Sequence, residues 1–501
     1  MDEPQNGGSA TGLSRGRRIL VLAICCLSLL IVGLDTTIVN VALPAIRGSL
    51  HASVSGLQWT IDAYTLVLAS LLMLAGSTAD RIGRKRVFRA GLVVFSLGSL
   101  LCGLAPSLEL LIAARVIQAI GGSMLNPVAM SIIRNVFDDP RERAQAIGAW
   151  GAMFGLSMAL GPVVGGALVD SVGWRSVFFV NVPIGVIAFV LTTLYVPRSR
   201  AARPRRLDPV GQILVILSLA SLTYAIIEAP GIGWTSAGTL GLFAFSLACF
   251  ATLVSYELRR REPLLEMRFF RSVPFAGAST IALCAFAAQG GFLFLNTLYL
   301  QEVRHLSPLD AGLYMLPMAA MLLVSAPVSG RLVSRQGARP SLVIAGAALV
   351  VGSALLVGLT PTTPSGYLFA AYFLFGLGAG MINPPITNTA VSGMPPSQAG
   401  VAAALASTCR QVGMTLGVAV IGAISGGTLS GAIGPGFAAA THAGWWICAG
   451  LGLVCLVLGV LTTTRWAEGT AGATAERFRE TDPSSSNAPR GPYRERELAA
   501  H

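Results

Sequence analysis

Asp35 is the first residue whose type and place suit chemistry, because it lies inside a stretch otherwise fit only for lipid. The apolar run opens at Ile19, behind Arg15, Arg17 and Arg18, and continues to about Ala45, long enough to cross a hydrocarbon core of ~30 Å. An ionisable group at that depth is costly and is expected to face a bundle interior or a watery cavity, where it serves a function. In Leu34-Asp35-Thr36-Thr37-Ile38-Val39-Asn40-Val41-Ala42-Leu43-Pro44, Thr36 and Asn40 stack one turn apart, about 100° round the helix from Asp35, and extend one hydrophilic arc. Such a carboxylate either gains and releases a proton or only pins this helix to a partner.

A second polar stripe crosses a later apolar run. Arg115, Gln118, Gly122 and Asn126 follow at steps of three and four residues and therefore share a helical face. A buried arginine needs a counter-ion, and Asp35 and Asp62 are the only acids in the neighbouring early runs. Counted from the ends of their helices, all three charges fall within one layer of ~6 Å, so a cluster of Asp35, Asp62 and Arg115 is expected. One acid would balance Arg115 while the other gains or releases a proton. In the late run that holds Ala399, Ala402, Ala406, Arg410, Gly413 and Gly417, the same spacing puts Arg410 on a close-packed face near mid-depth. There it anchors substrate anions, or it is a structural arginine bonded to backbone carbonyls. Phe286, Phe292, Phe294, Tyr299 and Tyr314 stand near Gln289 and Asn296 and line either an apolar pocket or ordinary core. Asn40, Gln118, Asn126, Gln289, Asn296 and Arg410 are the residues expected around a substrate cavity. Glu228 ends an apolar run near the surface and reads as interfacial.

The elements that hold these residues are membrane helices. The chain of 501 residues is 53% hydrophobic and 12% charged, with a mean hydropathy of +0.69, whereas soluble proteins carry about 25% charge. Its net charge of +12 does not imply a nucleic-acid partner, since the basic residues fall between apolar runs and report topology. The eight cysteines lie within those runs without metal-ligand spacing, and His51, His305, His442 and His501 sit at run ends, in loops or in the tail. No metal site, cofactor or enzymatic constellation is expected, and no filter sequence or ring of like charge suggests a channel.

Runs of about 20 apolar residues give fourteen spans, near 19–44, 57–79, 86–105, 108–133, 143–168, 176–196, 209–229, 238–257, 273–300, 308–330, 340–360, 366–391, 399–425 and 442–464. Loops on the side of the N-terminus are rich in arginine, among them Arg81, Arg84 and Arg86, Arg198 to Arg206, and Arg259 to Arg271. The opposite loops carry only Arg47, Arg175 and Arg304. By the positive-inside rule both termini are cytoplasmic. Lys85 is the only lysine, a bias that points to a GC-rich bacterial genome and hence to a bacterial plasma membrane. Residues 1–18 read as a cytoplasmic tail, and 465–501 as a disordered one with too little apolar content to fold.

An internal repeat organises the spans. Gly76-Ser77-Thr78-Ala79-Asp80-Arg81-Ile82-Gly83-Arg84-Lys85-Arg86 returns as Gly330 to Pro340, with Ser334 in place of the acid, and Gly121 to Pro127 is echoed by Gly378 to Pro384 at nearly the same offset. Two six-helix halves, 19–196 and 258–464, are therefore expected, with a basic linker and two inserted helices over 197–257. Such repeats are typical of secondary transporters, whose substrate site lies between the halves. That repeat offset carries Arg115 onto Tyr372, so the second half lacks the charge.

These motifs resemble the major facilitator superfamily, and within it the fourteen-span drug:proton antiporters of the EmrB/QacA type. The resemblance covers roughly 19–465. The stretch Leu34 to Pro44 is similar to the first-span signature of that group, and Gly76 to Arg86 to the loop signature, in which Gly76, Asp80, Arg81, Gly83 and Arg84 act in gating. Arg115, Gln118 and Gly121 match the fourth-span pattern associated with proton transfer, though Ala119 replaces a glycine. Gly148, Gly161, Pro162 and Gly165 match the antiporter signature of the fifth span, with Ser157 replacing another glycine. The resemblance implies a monomeric, all-α exporter of lipophilic small molecules (drugs, antibiotics or dyes) driven by the proton gradient without a cofactor; charge and depth make Asp35, Arg115 and Asp62 the residues expected to carry the proton coupling. A dedicated exporter of one endogenous metabolite, antibiotic or lipid, with the same fold and coupling, is the alternative.

Overall fold

A computed structural model describes residues 13–201, 207–260, 263–392, 394, 396–426 and 436–480. Among them there is no strand, and fourteen helices are long and apolar enough to cross a membrane. In chain order the helices are α1 Arg15–Leu50, α2 Val54–Ile82, α3 Arg84–Leu104, α4 Leu108–Val136, α5 Pro140–Ser171, α6 Ser176–Phe179, α7 Asn181–Tyr195, α8 Pro209–Ile232 and α9 Ala237–Glu257. They continue as α10 Val273–Leu298, α11 Pro308–Tyr314, α12 Leu316–Gln336, α13 Ala338–Val357, α14 Ser365–Val391, α15 Pro396–Gly426, α16 Gly436–Ala440, α17 His442–Leu461 and α18 Arg465–Glu480. The pairs α6/α7 and α11/α12 each make one span.

Side-chain caps start many of the helices, as expected where backbone N–H groups would otherwise go unpaired. Ser53 accepts from Gly56 N, Ser107 from Leu110 N, and Asp139 from Arg141 N and Glu142 N. The repeat recurs in the backbone. Gly83 (φ 117°) ends α2 and Gly337 (φ 82°) ends α12, each in a left-handed conformation that an L side chain rarely adopts. Helices α1 to α7 pack on one another, as do α10 to α17, and the inserted α8 rests on α2 and α15. There Gln212 Nε2 donates to Ser70 O (2.7 Å), and Trp59 Nε1 donates to Glu228 Oε1 (2.9 Å). Glu228 is thus a link between α8 and α2.

The two halves meet away from the basic end of the molecule that carries Arg81 to Arg86. Gln58 Nε2 of α2 donates to the carbonyls of Val418 and Ala419 on α15 (3.1 and 2.9 Å), and Thr415 Oγ1 donates to Thr65 Oγ1 (2.8 Å). Gln301 Nε2 reaches Val41 O (2.9 Å), Leu309 N reaches Asp170 Oδ2 (3.0 Å), and Arg47 pairs with Glu302 (3.7 Å). Among the described residues, no hydrogen bond or ion pair joins the halves on the basic side of mid-depth. The described bonds that join the halves thus lie on one side of mid-depth.

The tail differs from expectation over its first part. α18 is a helix because Ala467, Ala471, Ala475 and Phe478 recur at steps of three and four and are all buried. The Phe478 ring stacks near Phe269 with centroids 5.3 Å apart, and Val273 N donates to Thr470 Oγ1 (3.0 Å). A low overall apolar content concealed a stripe sufficient to dock one helix. Residues 481–501, and 1–12 of the N-terminal tail, lie outside the described residues, while Arg15, Arg17 and Arg18 already belong to α1.

Candidate functional site

The polar stripe of α4 and the acid of α1 meet inside the first half. Arg115 Nη1 donates to Asp35 Oδ2 at 2.5 Å, with both side chains no more than 1% exposed. Burying such a pair is costly unless its remaining valences are satisfied, and here they largely are. Gln118 Nε2 and Asn181 Nδ2 donate to Asp35 Oδ1 (2.7 and 3.0 Å), and both also donate to Ser99 Oγ (2.6 and 3.2 Å). Arg115 in turn gives Nε to Thr60 O (3.1 Å) and Nη1 to Gln118 Oε1 (2.7 Å), and its guanidinium lies 4.1 Å from the centroid of the Tyr64 ring. One carboxylate, one guanidinium and two carboxamides, from α1, α4 and α7, therefore share a single network. Tyr64 Oη and Asn181 Oδ1 are its buried atoms without a partner.

The close approach of α3 to α4 makes the network possible. A Cβ on Gly98 would lie 2.5 Å from the backbone of Gln118, so only glycine lets α3 bring Ser99 this near. Ser99, Tyr64 and Asn181 were not singled out in the sequence. The one legible signal was Asn181 itself, a carboxamide in the otherwise apolar span Ser176–Tyr195.

Asp62 does not join this network, contrary to the expected cluster of two acids and one cation. It is fully buried, accepts a long bond from Thr65 Oγ1 (3.4 Å), and leaves Oδ2 unpartnered. Depth arithmetic placed it in the right layer but ignored azimuth. Arg115 bonds the carbonyl of Thr60, and Asp62 lies two residues on, about 200° round α2. It belongs instead to the side of α2 where Thr65 meets Thr415 of the other half.

The residues expected around a cavity divide into several sites. Gln118 is absorbed by the ion-pair network. Asn40, 4% exposed with Oδ1 unpartnered, lines a narrow cleft between the halves, together with Thr36, Ile61, Gly290 and Met414, that is too tight in this conformation to hold a water molecule. Arg410 is half-buried, donates Nη2 to Thr387 Oγ1 (2.6 Å) and keeps Nε unpartnered. Gln289 is buried near Met158 Sδ (3.9 Å), and Asn126 is half-buried with a free Oδ1. Asn296 is not at the cleft but in the core of the second half, where it accepts a short bond from Tyr372 Oη. Phe292 packs edge-on against Tyr372 and stacks on Phe375 (4.2 Å), so these aromatics are core. The second half thus holds a neutral Tyr372–Asn296 pair at the place where the first half has an ion pair.

The loop after α2 is held locally. Asp80 Oδ1 pairs with Arg84 four residues on (3.1 Å), Asp80 O accepts from Ala201 N, and Arg84 N donates to Ser199 O (3.1 and 2.9 Å). Among the described residues Asp80 pairs only with Arg84 and the backbone of the chain after α7, which folds back over the turn. Gly76 touches Pro127 of α4, Gly83 supplies the left-handed turn and Arg81 is exposed. In the second copy Ser334 donates only to Arg331 O of its own helix.

The glycine stripe of α5 is close-packed over its outer part alone. A Cβ on Gly161 would strike Thr37, and one on Gly165 would meet Ile38, both on α1, while the carbonyl of Pro162 abuts Gly312 of α11. Gly148 and Gly151 have nothing within 4 Å of such an atom. Close backbone approach along α5 therefore stops near mid-depth.

A helical repeat protein with fourteen spans, two halves closed at one end and an ion pair buried in one half is built as a transporter. The family model of the Major Facilitator Superfamily matches residues 25–418, and the chain belongs to that superfamily. Multidrug resistance protein Stp of Mycobacterium tuberculosis is 37% identical over 83% of this chain and 78% of its own length. The tetracenomycin C resistance and export protein of Streptomyces glaucescens is 38% identical over 84% and 79%, and the methylenomycin A resistance protein of Streptomyces coelicolor is 37% identical over 78% and 82%. Among solved structures, a peptide transporter POT in complex with sulfate shares the fold at a TM-score of 0.65 and 14% identity, covering 91% of this chain and 95% of its own.

Proposed function

We propose that this protein is a proton-coupled antiporter that exports lipophilic small molecules across a bacterial plasma membrane by alternating access, as a monomer with both termini cytoplasmic. The buried Asp35–Arg115 pair is the observation that carries the coupling, and the resistance and export proteins among its relatives support the direction and the cargo. Protonating Asp35 would remove its charge and loosen the Arg115 bond. The guanidinium would not be stranded, since Thr60 O, Gln118 and the Tyr64 face remain. The basic end is then cytoplasmic, and the geometry seen here is closed to the outside. Opening the outer end would admit a proton to Asp35 as substrate leaves, and return would release it inward.

Relatives named for one antibiotic as well as for multidrug resistance keep a second reading in view, a dedicated exporter of a single compound with the same coupling. Accumulation of a panel of dyes and antibiotics in cells with and without the protein, repeated with the proton gradient collapsed, tests both. Gradient-dependent loss of several unrelated compounds supports the broad exporter, and loss of one alone supports the dedicated form.

A further inference from the structure

Among the described residues Arg410 is a cation without a counter-ion: it makes no ion pair, and between Asp310 and Glu468 the chain contains no acidic residue. Its one described bond is to Thr387 Oγ1, and its buried Nε is unpartnered. A guanidinium held at this depth with unused donors is expected to meet an anion at some point in its working cycle, because the uncompensated charge is otherwise costly. Its place identifies that anion as cargo. Arg410 stands one turn before Met414 on α15 and shares its face, and Met414 lines the cleft between the halves with Thr36, Asn40, Ile61 and Gly290. On α15 (Pro396–Gly426) Arg410 stands five residues before Thr415, which bonds Thr65 of the other half, so it lies on the side of the cleft where no described bond joins the halves. Once the halves part, a molecule entering from that side would meet the guanidinium one turn before the thioether of Met414 and the aliphatic wall, and then the free Oδ1 of Asn40.

We propose that Arg410 anchors an acidic group of the substrate, and that the favoured class is lipophilic organic anions, carboxylates or phenolates, with their apolar body against Met414 and Ile61. This rests on the exporter reading and names its substrate class. A planar guanidinium with several donors suits a carboxylate or phenolate oxygen better than a neutral acceptor.

The test uses the purified full chain and two dyes on one xanthene framework: fluorescein, an anion at neutral pH, and tetramethylrhodamine ethyl ester, a cation. Fluorescence polarisation should show tighter binding of fluorescein to the wild type. Arg410→Gln should weaken fluorescein about 10- to 100-fold, the loss of one charge-assisted bond, and leave the cationic dye nearly unchanged, which also certifies that the variant is folded. Arg410→Lys should keep most of the anion affinity. Preference of the wild type for the cation, binding of neither dye, equal weakening of both by Arg410→Gln, or unchanged fluorescein binding would each overturn the proposal. If fluorescein binds through Arg410 yet proteoliposomes with an imposed pH gradient move neither dye, the exporter reading falls and the anchor stands.

Discussion

Gln118 bonds both members of the buried ion pair, donating Nε2 to Asp35 Oδ1 at 2.7 Å while its Oε1 accepts from Arg115 Nη1 at 2.7 Å. The side chain that reads as part of a cavity stripe is in fact the clamp that fixes the distance between acid and base. Removing it leaves a buried carboxylate and a buried guanidinium each short of one partner. Gln118→Leu should therefore cost about 1–3 kcal/mol of stability, read as thermal unfolding in detergent. It should also move the pH optimum of transport, which a purely structural residue would not do.

Asp35 and Arg115 should be energetically coupled, whereas Asp62 and Arg115 should not. In a double-mutant cycle on transport, Asp35→Asn with Arg115→Gln is expected to deviate from additivity by more than ~1 kcal/mol, and Asp62→Asn with Arg115→Gln to add within ~0.5 kcal/mol. Strong coupling of Asp62 to Arg115 would restore the three-charge cluster.

The α5 glycines should divide by depth. Gly161→Ala forces a methyl into Thr37 and should lower stability by about 1–3 kcal/mol, the usual cost of overpacking. Gly148→Ala meets nothing within 4 Å and should leave the unfolding midpoint unchanged. Equal effects at the two positions would refute a closure confined to one end.

Gln58 should hold the outer end shut. Gln58→Leu removes two hydrogen bonds to α15, each worth about 1 kcal/mol, and should raise the outward-open population roughly 30-fold. The rate at which an impermeant maleimide reaches a cysteine placed at Asn40 from outside, in a cysteine-free background, reads that population.

Asp80→Ala should slow turnover with little change in substrate affinity, because the Asp80–Arg84 pair braces the α2–α3 turn, far from the cleft, while the backbone bonds of that turn to Ser199 and Ala201 stay in place. A large loss of affinity in equilibrium binding would contradict this.

The sequence carried the fold well because each span is a long apolar run and each turn of the repeat keeps its glycine. Asp35 and Arg115 could be paired from sequence since few charges exist at that depth. What stayed hidden depends on azimuth and on neighbours. Asp62 shares a layer with Arg115 but points from the far side of α2, and Ser99 enters the network only because Gly98 lets two backbones touch. Asn296 and Tyr372 looked like cavity and gap, yet they bond to each other in the core. The α18 stripe was diluted by charged residues in a window average, and Ser199 and Ala201, which bond the backbone of the α2–α3 turn, lie in a linker with no periodic signal.

The coupling claim rests on Asp35, and Asp35→Asn tests it most directly, since the amide keeps hydrogen bonding but cannot change charge. The variant is to be purified, shown to bind substrate, and reconstituted in liposomes with an imposed pH gradient. The expected result is exchange of substrate down its own gradient with no uphill export. Uphill export by Asp35→Asn at the wild-type rate would show that the proton is carried elsewhere.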